Sequence, residues 1–178
     1  MSRLAAALLA LAGLALAPAL RAGPPPETRY LAQLAGDWDM RGSMGSKALH
    51  YRARGRWTLD GAWLELWMQD RARPPGYEAR VFLGYDAHQH DFIAHWLDRF
   101  GAAGARVVGS GRLSERTLVL EFPYPEGAFR DTLTLAPDGS SGTLLLEQQQ
   151  PDGHWSTFAR YTLARPGAPA PGGAPHGP

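Results

Sequence analysis

The sequence predicts an all-β fold: an antiparallel up-and-down β-barrel of about ten strands, entered by a short N-terminal helix and closed around a cavity. Three observations carry that expectation. Between Asp37 and Ala164, short segments alternate apolar and polar residues with the two-residue period of half-buried strands. Tight-turn residues separate these segments, and helical periodicity is nearly absent between them. A short amphipathic lead-in, Tyr30-Leu31-Ala32-Gln33-Leu34, runs directly into Gly36-Asp37-Trp38, where the first strand opens. A two-sheet sandwich is the competing architecture. Sandwiches use long crossover connections, and the connections here are short, whereas closure of a meander removes its exposed edges.

Each element follows in order. Gly42 to Lys47 reads as a flexible connection between the first two strands, placed over the barrel mouth. In the second strand Leu49, Tyr51, Ala53, Gly55, Trp57 and Leu59 share one face, and His50, Arg52, Arg54, Arg56 and Thr58 share the other. Asp60-Gly61 is a hairpin signal before Ala62-Trp63-Leu64. Trp63 and Trp67 then alternate against Leu64, Leu66 and Met68, so this strand is apolar on both faces. Its outer face is expected to meet a loop, the tail, a partner or a ligand, and a homodimer interface fits exposed tryptophans. After Pro74-Pro75-Gly76, Tyr77, Ala79, Val81, Leu83 and Tyr85 oppose Glu78 and Arg80. Asp86 to Asp91 forms the next turn, followed by Phe92, Ala94, Trp96 and Asp98 on one face. Gly101 to Gly104 and Pro125-Glu126-Gly127 mark later connections, and Phe129, Asp131, Leu133 and Leu135 alternate with Arg130, Thr132 and Thr134. Pro137-Asp138-Gly139 and Pro151-Asp152-Gly153 are turns in which proline fixes one φ and glycine supplies a positive one. In the last strand Trp155, Thr157, Ala159, Tyr161 and Leu163 are expected to oppose Ser156, Phe158 and Arg160.

The ends of the chain have a different composition. Arg3, the apolar run Leu4 to Leu16, Pro18 and the small residues Ala17, Ala19 and Ala22 have the layout of a secretory signal, residues 1–22, cleaved after Ala19 or Ala22. The run is shorter than the roughly 20 residues of a spanning helix, so no stable membrane insertion is expected after cleavage. The chain has no cysteine, which excludes lipoprotein attachment and structural disulfides. Residues 23–27 read as a spacer, 28–165 as the barrel domain and 166–178 as a disordered Pro/Gly/Ala tail. Lys47 is the one lysine among 18 lysines and arginines, a bias that with abundant Ala, Gly and Pro suggests a GC-rich bacterial genome. The expected destination is therefore the periplasm or the medium. A net charge of +1 argues against capture of nucleic acid.

The residues offer few chemical constellations. Val108 stands where a Gly-x-Ser-x-Gly nucleophile elbow around Ser110 would need glycine, and no catalytic residue is assigned. His88, His90, Asp91 and His95 lie close in sequence, but the first two fall in a turn, and no metal site is expected. Arg52, Arg54 and Arg56 form a row that reads as a solvated outer face, with anion binding as the alternative. Asp98 and Asp131 occupy the apolar register. If that face points inward, each is a carboxylate in a cavity that must pair with an arginine or meet a polar ligand group. The ligand-binding candidates are thus Trp57, Tyr85 and Trp96 as lining and Asp98 and Asp131 as orienting groups.

The order Leu34-Ala35-Gly36-Asp37-Trp38, Leu59-Asp60-Gly61, Gly84-Tyr85-Asp86 and Phe92-Ile93-Ala94-His95-Trp96-Leu97-Asp98 resembles the bacterial DUF1579 proteins. The likeness continues through Ser110-Gly111 and closes on Tyr161-Thr162-Leu163. That family is similar to lipocalin-like calycin and nitrobindin-like barrels, and its biochemical function is not established. The nitrobindin-like barrels hold haem through a histidine on a late strand, and His154 is the one histidine in a comparable part of this domain. The resemblance therefore implies haem as an alternative cofactor with His154 as its axial ligand, where the residues alone imply none. Together these observations predict an exported, non-catalytic binding protein for a small hydrophobic or amphipathic molecule. A solid barrel acting as an interaction module is the second alternative.

Overall fold

The computed structural model describes residues 26–167; the expected secretory signal, and all but the first two residues of the expected tail, lie outside them. Helix α1 (Pro26–Gln33) is followed by β1 (Gly36–Met44), β2 (Lys47–Thr58), β3 (Trp63–Asp70), β4 (Glu78–Asp86) and β5 (Asp91–Asp98). The second half comprises β6 (Val108–Ser114), β7 (Thr117–Phe122), β8 (Phe129–Leu135), β9 (Ser141–Gln149) and β10 (Trp155–Ala164). All neighbours pair antiparallel, and β1 pairs with β10, so the ten strands close into an up-and-down barrel. The expected fold class is thereby shown. The helix starts at Pro26, inside the stretch expected to be spacer, because proline suits a first helical turn whose N–H has no intrahelical partner.

Two local expectations are corrected. Leu59 does not continue the inner face of β2. It lies in a short 3-10 turn, Leu59–Gly61, in which Leu59, Asp60 and Gly61 all have positive φ, and its side chain is exposed. In β10 the register shifts between Thr157 and Ala159. Phe158 is the extra residue of this bulge, so Trp155 and Thr157 stand on the opposite face from Ala159, Tyr161 and Leu163. Trp155 accordingly lies under the Arg130 guanidinium, 4.3 Å from its ring, while Arg130 pairs outward with Glu147.

Helix α1 packs at the end where β1 begins. Tyr30, Leu31 and Leu34 are buried there together with Trp38, Met40, Leu64, Phe92, Leu118, Leu135 and Leu163. The Tyr30 hydroxyl donates to the Leu133 carbonyl at 2.7 Å. The helix C-terminus leaves carbonyl groups without intrahelical partners. The Trp38 indole N–H donates to the Leu34 carbonyl at 2.9 Å. Arg165 donates to the carbonyls of Gln33 (2.6 Å), Ala35 (2.8 Å) and Asp37 (3.2 Å), with its guanidinium 3.7 Å from the centre of the Trp38 ring. This cap brings the residue after β10 onto the segment that leads into β1. Gly55 makes the seat possible, since a Cβ there would overlap the Leu34 carbonyl.

Two outcomes follow for stability. Arg165→Ala is expected to cost about 2 kcal/mol or more in urea unfolding, and Arg165→Lys to recover only part, because lysine cannot form the fork. Gly55→Ala is expected to destabilise by a comparable ~2 kcal/mol, since backbone rather than a flexible side chain must move. A Gly55→Ala protein of unchanged midpoint would show that α1 does not sit on β2 this closely.

Candidate functional site

The half of the barrel away from α1 is hollow. A cavity of about 540 Å³ lies between the inner faces of the strands and the connections at that end. Its size is that of a small-molecule site. The two halves differ because inner positions near α1 are filled by the helix side chains, whereas no element among the described residues enters the other end. The β3–β4, β5–β6 and β7–β8 connections contribute residues to the rim, as do the facing ends of β1 and β2 through Met44 and Lys47. Met44, Phe100 and Phe158 line the cavity and are also exposed, Phe100 by 79%, so the cavity reaches solvent through an apolar rim.

Aromatic rings form most of the wall. Tyr51 stands between Tyr161 (5.7 Å between centroids) and Tyr77 (5.8 Å), and Tyr77 continues to Phe100 (5.8 Å). On the other side Trp96 meets Phe122 edge-on at 6.4 Å, Phe122 stacks on Tyr124, and Tyr124 leads to Phe129 and Phe158. The Trp96 indole N–H donates to the Tyr77 hydroxyl at 3.0 Å, and that hydroxyl reaches Asp98 Oδ2 at 3.5 Å. Burial pushes the hydroxyls of Tyr77 and Tyr161 above their ordinary titration range, so they remain neutral donors and acceptors.

The two inward aspartates differ. Asp98 ends β5, and its Oδ1 accepts the Phe100 N–H at 2.9 Å, so it both shapes the turn and touches the cavity. Asp131 is in the middle of β8, opposite Leu120 and Leu146, and only 5% exposed. Its carboxyl has no hydrogen-bond or ion-pair partner among the described residues. The expected arginine partner is not there, because Arg130 faces outward to Glu147. Desolvation alone pushes the Asp131 carboxyl up to about 7.

Trp96, Asp98 and Asp131 therefore come together in the cavity, and Trp57 and Tyr85 do not. Trp57 pairs with Leu64 near the α1 end, and Tyr85 packs on Phe92 at 5.1 Å, which in turn meets Tyr30. Both stand on inner faces, but at the α1 end of their strands. Tyr51, Tyr77 and Tyr161, which the residue pattern put on inner faces, are the cavity residues in their place. The missing signal was longitudinal. Once α1 is known to fill the end where β1 starts, the inner residues beside alternate connections must line the other end.

His154 is not among the cavity-lining residues. It is exposed in the turn before β10, where its Nδ1 pairs with Asp152. Among the described residues no histidine lines the cavity, so these residues do not fit a haem with His154 as axial ligand. His88 and His90 lie in the β4–β5 turn, and His95 bonds the Ala105 carbonyl at 2.7 Å.

The outer face of β2 to β4 is self-paired. Arg54 forks onto Asp37, while Arg56 (2.9 Å) and Arg80 both bind Glu65. Glu65 is buried on this outer face, and the hydrogen bond from Arg56, followed by that from Arg80, holds its carboxyl below its ordinary value. The arginine row is thus the exposed outer face expected of it, with Arg54 and Arg56 engaged by carboxylates rather than left as a free anion site. Trp67 lies 5.2 Å beneath Arg52 and donates to Glu78, and Trp63 packs on Gly84. These contacts cover part of the outer apolar face, and both tryptophans stay half-buried.

Comparison with solved structures finds the crystal structure of Rv2717c from M. tuberculosis, with 16% sequence identity and a TM-score of 0.55 over 79% of this chain and 98% of that one. At that identity the likeness concerns the fold alone. A comparison with curated proteins finds no match. A family model described as "Protein of unknown function (DUF1579)" matches residues 23–165. The chain, as its barrel and its Gly-Asp-Trp entry foreshadow, belongs to the DUF1579 family.

Proposed function

We propose that the protein is exported to the periplasm and holds a small, largely apolar molecule in the barrel cavity without transforming it. The barrel fold and the family fit a non-catalytic binding role. The observation that carries the finer reading is the aromatic cavity with one buried, unpartnered carboxyl, Asp131. Burying such a group unpaired costs stability, and a ligand's polar end would offset that cost. Apolar rim residues give an amphipathic molecule a path inward. The layout of residues 1–22 supports export.

Native mass spectrometry of the mature protein, exported and purified gently, tests the proposal together with a decanol titration. Bound mass that leaves on denaturation, or a saturable change in Trp96 emission that Trp96→Phe removes, is the expected result. A bare mass with no saturable response to decanol would overturn it and return weight to an interaction module.

The charge of Asp131 gives a second expected outcome. Its folded-state value near 7 lies above the ordinary 3.8, so the folded chain holds this proton more tightly than the unfolded one. The associated stability is fully present below about pH 4 and is lost as pH rises through 7. The titratable groups coupled to it across the cavity are Tyr124 and Tyr161, both pushed upward by burial, and Tyr124 also faces Asp98. Asp131→Asn removes the penalty of ionisation. Its Tm relative to the parent is therefore expected to rise by about 4 °C or more between pH 4 and pH 8 in the ligand-free protein. A constant difference across that range would mean that Asp131 does not ionise in isolation.

A further inference from the structure

We propose that the cavity selects amphipathic molecules carrying a cationic, ammonium-type head group, for which Asp131 is the counter-ion. This rests on the cavity being a ligand site and names the chemistry of what enters it.

The polar inventory of the lining is one-sided. Among the described residues Asp70, Asp98, Glu126 and Asp131 contribute four carboxyl groups, and Lys47, beside the β1–β2 turn at the rim, contributes the one cationic side chain. Among the described residues no arginine or histidine lines the cavity. A fatty-acid carboxylate would lose its hydration there and meet like charges without a forked donor to receive it. An ammonium group meets the reverse situation.

Asp131 is the group positioned for it. Asp98 already accepts the Phe100 N–H and faces the Tyr77 hydroxyl, and Asp70 accepts the N–H groups of Ala72 (2.9 Å) and Gly76 (3.2 Å). Asp131 has neither a backbone nor a side-chain donor among the described residues, and it is almost wholly removed from solvent. A buried carboxylate gains most from a charged donor, because the surroundings screen the pair weakly and nothing else compensates its lost hydration. Aromatic rings complete the recognition. Tyr51, Tyr77, Tyr161 and Trp96 line the same cavity, and the negative faces of such rings attract cations. Tyr77 is fixed by the indole of Trp96, so part of this box is set before a ligand arrives. The apolar remainder, Leu144, Leu146, Phe122 and Phe129, suits an alkyl or aryl body.

The test uses three probes that share one alkyl chain: decylamine, decanol and decanoate, titrated calorimetrically into the mature protein at pH 8. Decylamine is expected to bind at least about tenfold more tightly than decanol, with decanoate weaker than decanol. Asp131→Asn is expected to lower decylamine affinity to that of decanol while changing decanol affinity by no more than about threefold. The order of the three probes on the parent protein decides the matter even if the variant folds poorly. Decanol binding as tightly as decylamine, or decanoate binding best, would overturn the cationic preference while leaving the cavity as a ligand site. Failure of all three to bind would overturn both.

Discussion

Arg165 stacks on Trp38 and donates to three carbonyl oxygens around the end of α1, and this contact ties together the parts of the chain that a meander leaves farthest apart. A ten-stranded sheet closes only if its first and last strands meet, and β1 and β10 are separated by the whole domain in sequence. The β1–β10 ladder supplies the hydrogen bonds of closure. Arg165 adds a charged clamp where that ladder meets the helix, and Trp38 supplies both the ring under the guanidinium and the cap on Leu34. The position of the helix follows from these contacts, and with it the choice of which end of the barrel is filled.

That choice divides the barrel into two chemically different halves. Near α1, leucine, phenylalanine and tryptophan side chains interdigitate with the helix and leave the large side chains wholly buried. At the other end the inner positions are held by tyrosines and phenylalanines, whose rings lie against each other along the wall at separations of 5.2 to 6.4 Å. Rings stacked around a wall cover it without filling the lumen. The same strands thus serve as core at one end and as container at the other, and Asp131 is tolerated because it faces the container.

Much of the architecture was legible in residue patterns. Alternation between Leu49 and Trp57, or Phe129 and Leu135, reports a half-buried strand because successive side chains must point to opposite faces. The turn chemistry was legible for a similar local reason, since glycine marks positions such as Gly139 and Gly153 where φ is positive. Local patterns failed where a distant contact intervened. The bulge at Phe158 reverses the facing of Trp155 and Thr157, and an alternating pattern on either side of an inserted residue does not reveal it. Leu59 looked like the next inner residue of its strand, yet the turn claims it. Nor does alternation show that Arg52 lies over Trp67 or that Trp63 lies on Gly84 on the outer face of β3, since both contacts come from neighbouring strands.

The sequence by itself determined the class of fold, the facing of most strand residues and the anomaly of two carboxylates in an apolar register. These are consequences of strand period and turn stereochemistry, which act over a few residues. Only the tertiary structure decided which end of the barrel is hollow, and hence that Trp96, Asp98 and Asp131 share a cavity while Trp57 and Tyr85 belong to the packed end. It also decided that Asp131 has no arginine beside it whereas Glu65, on the outside, has two. Position along a barrel axis and the identity of a charge's partner depend on where the helix seats and where the sheet closes, and both are settled by contacts between residues more than a hundred positions apart.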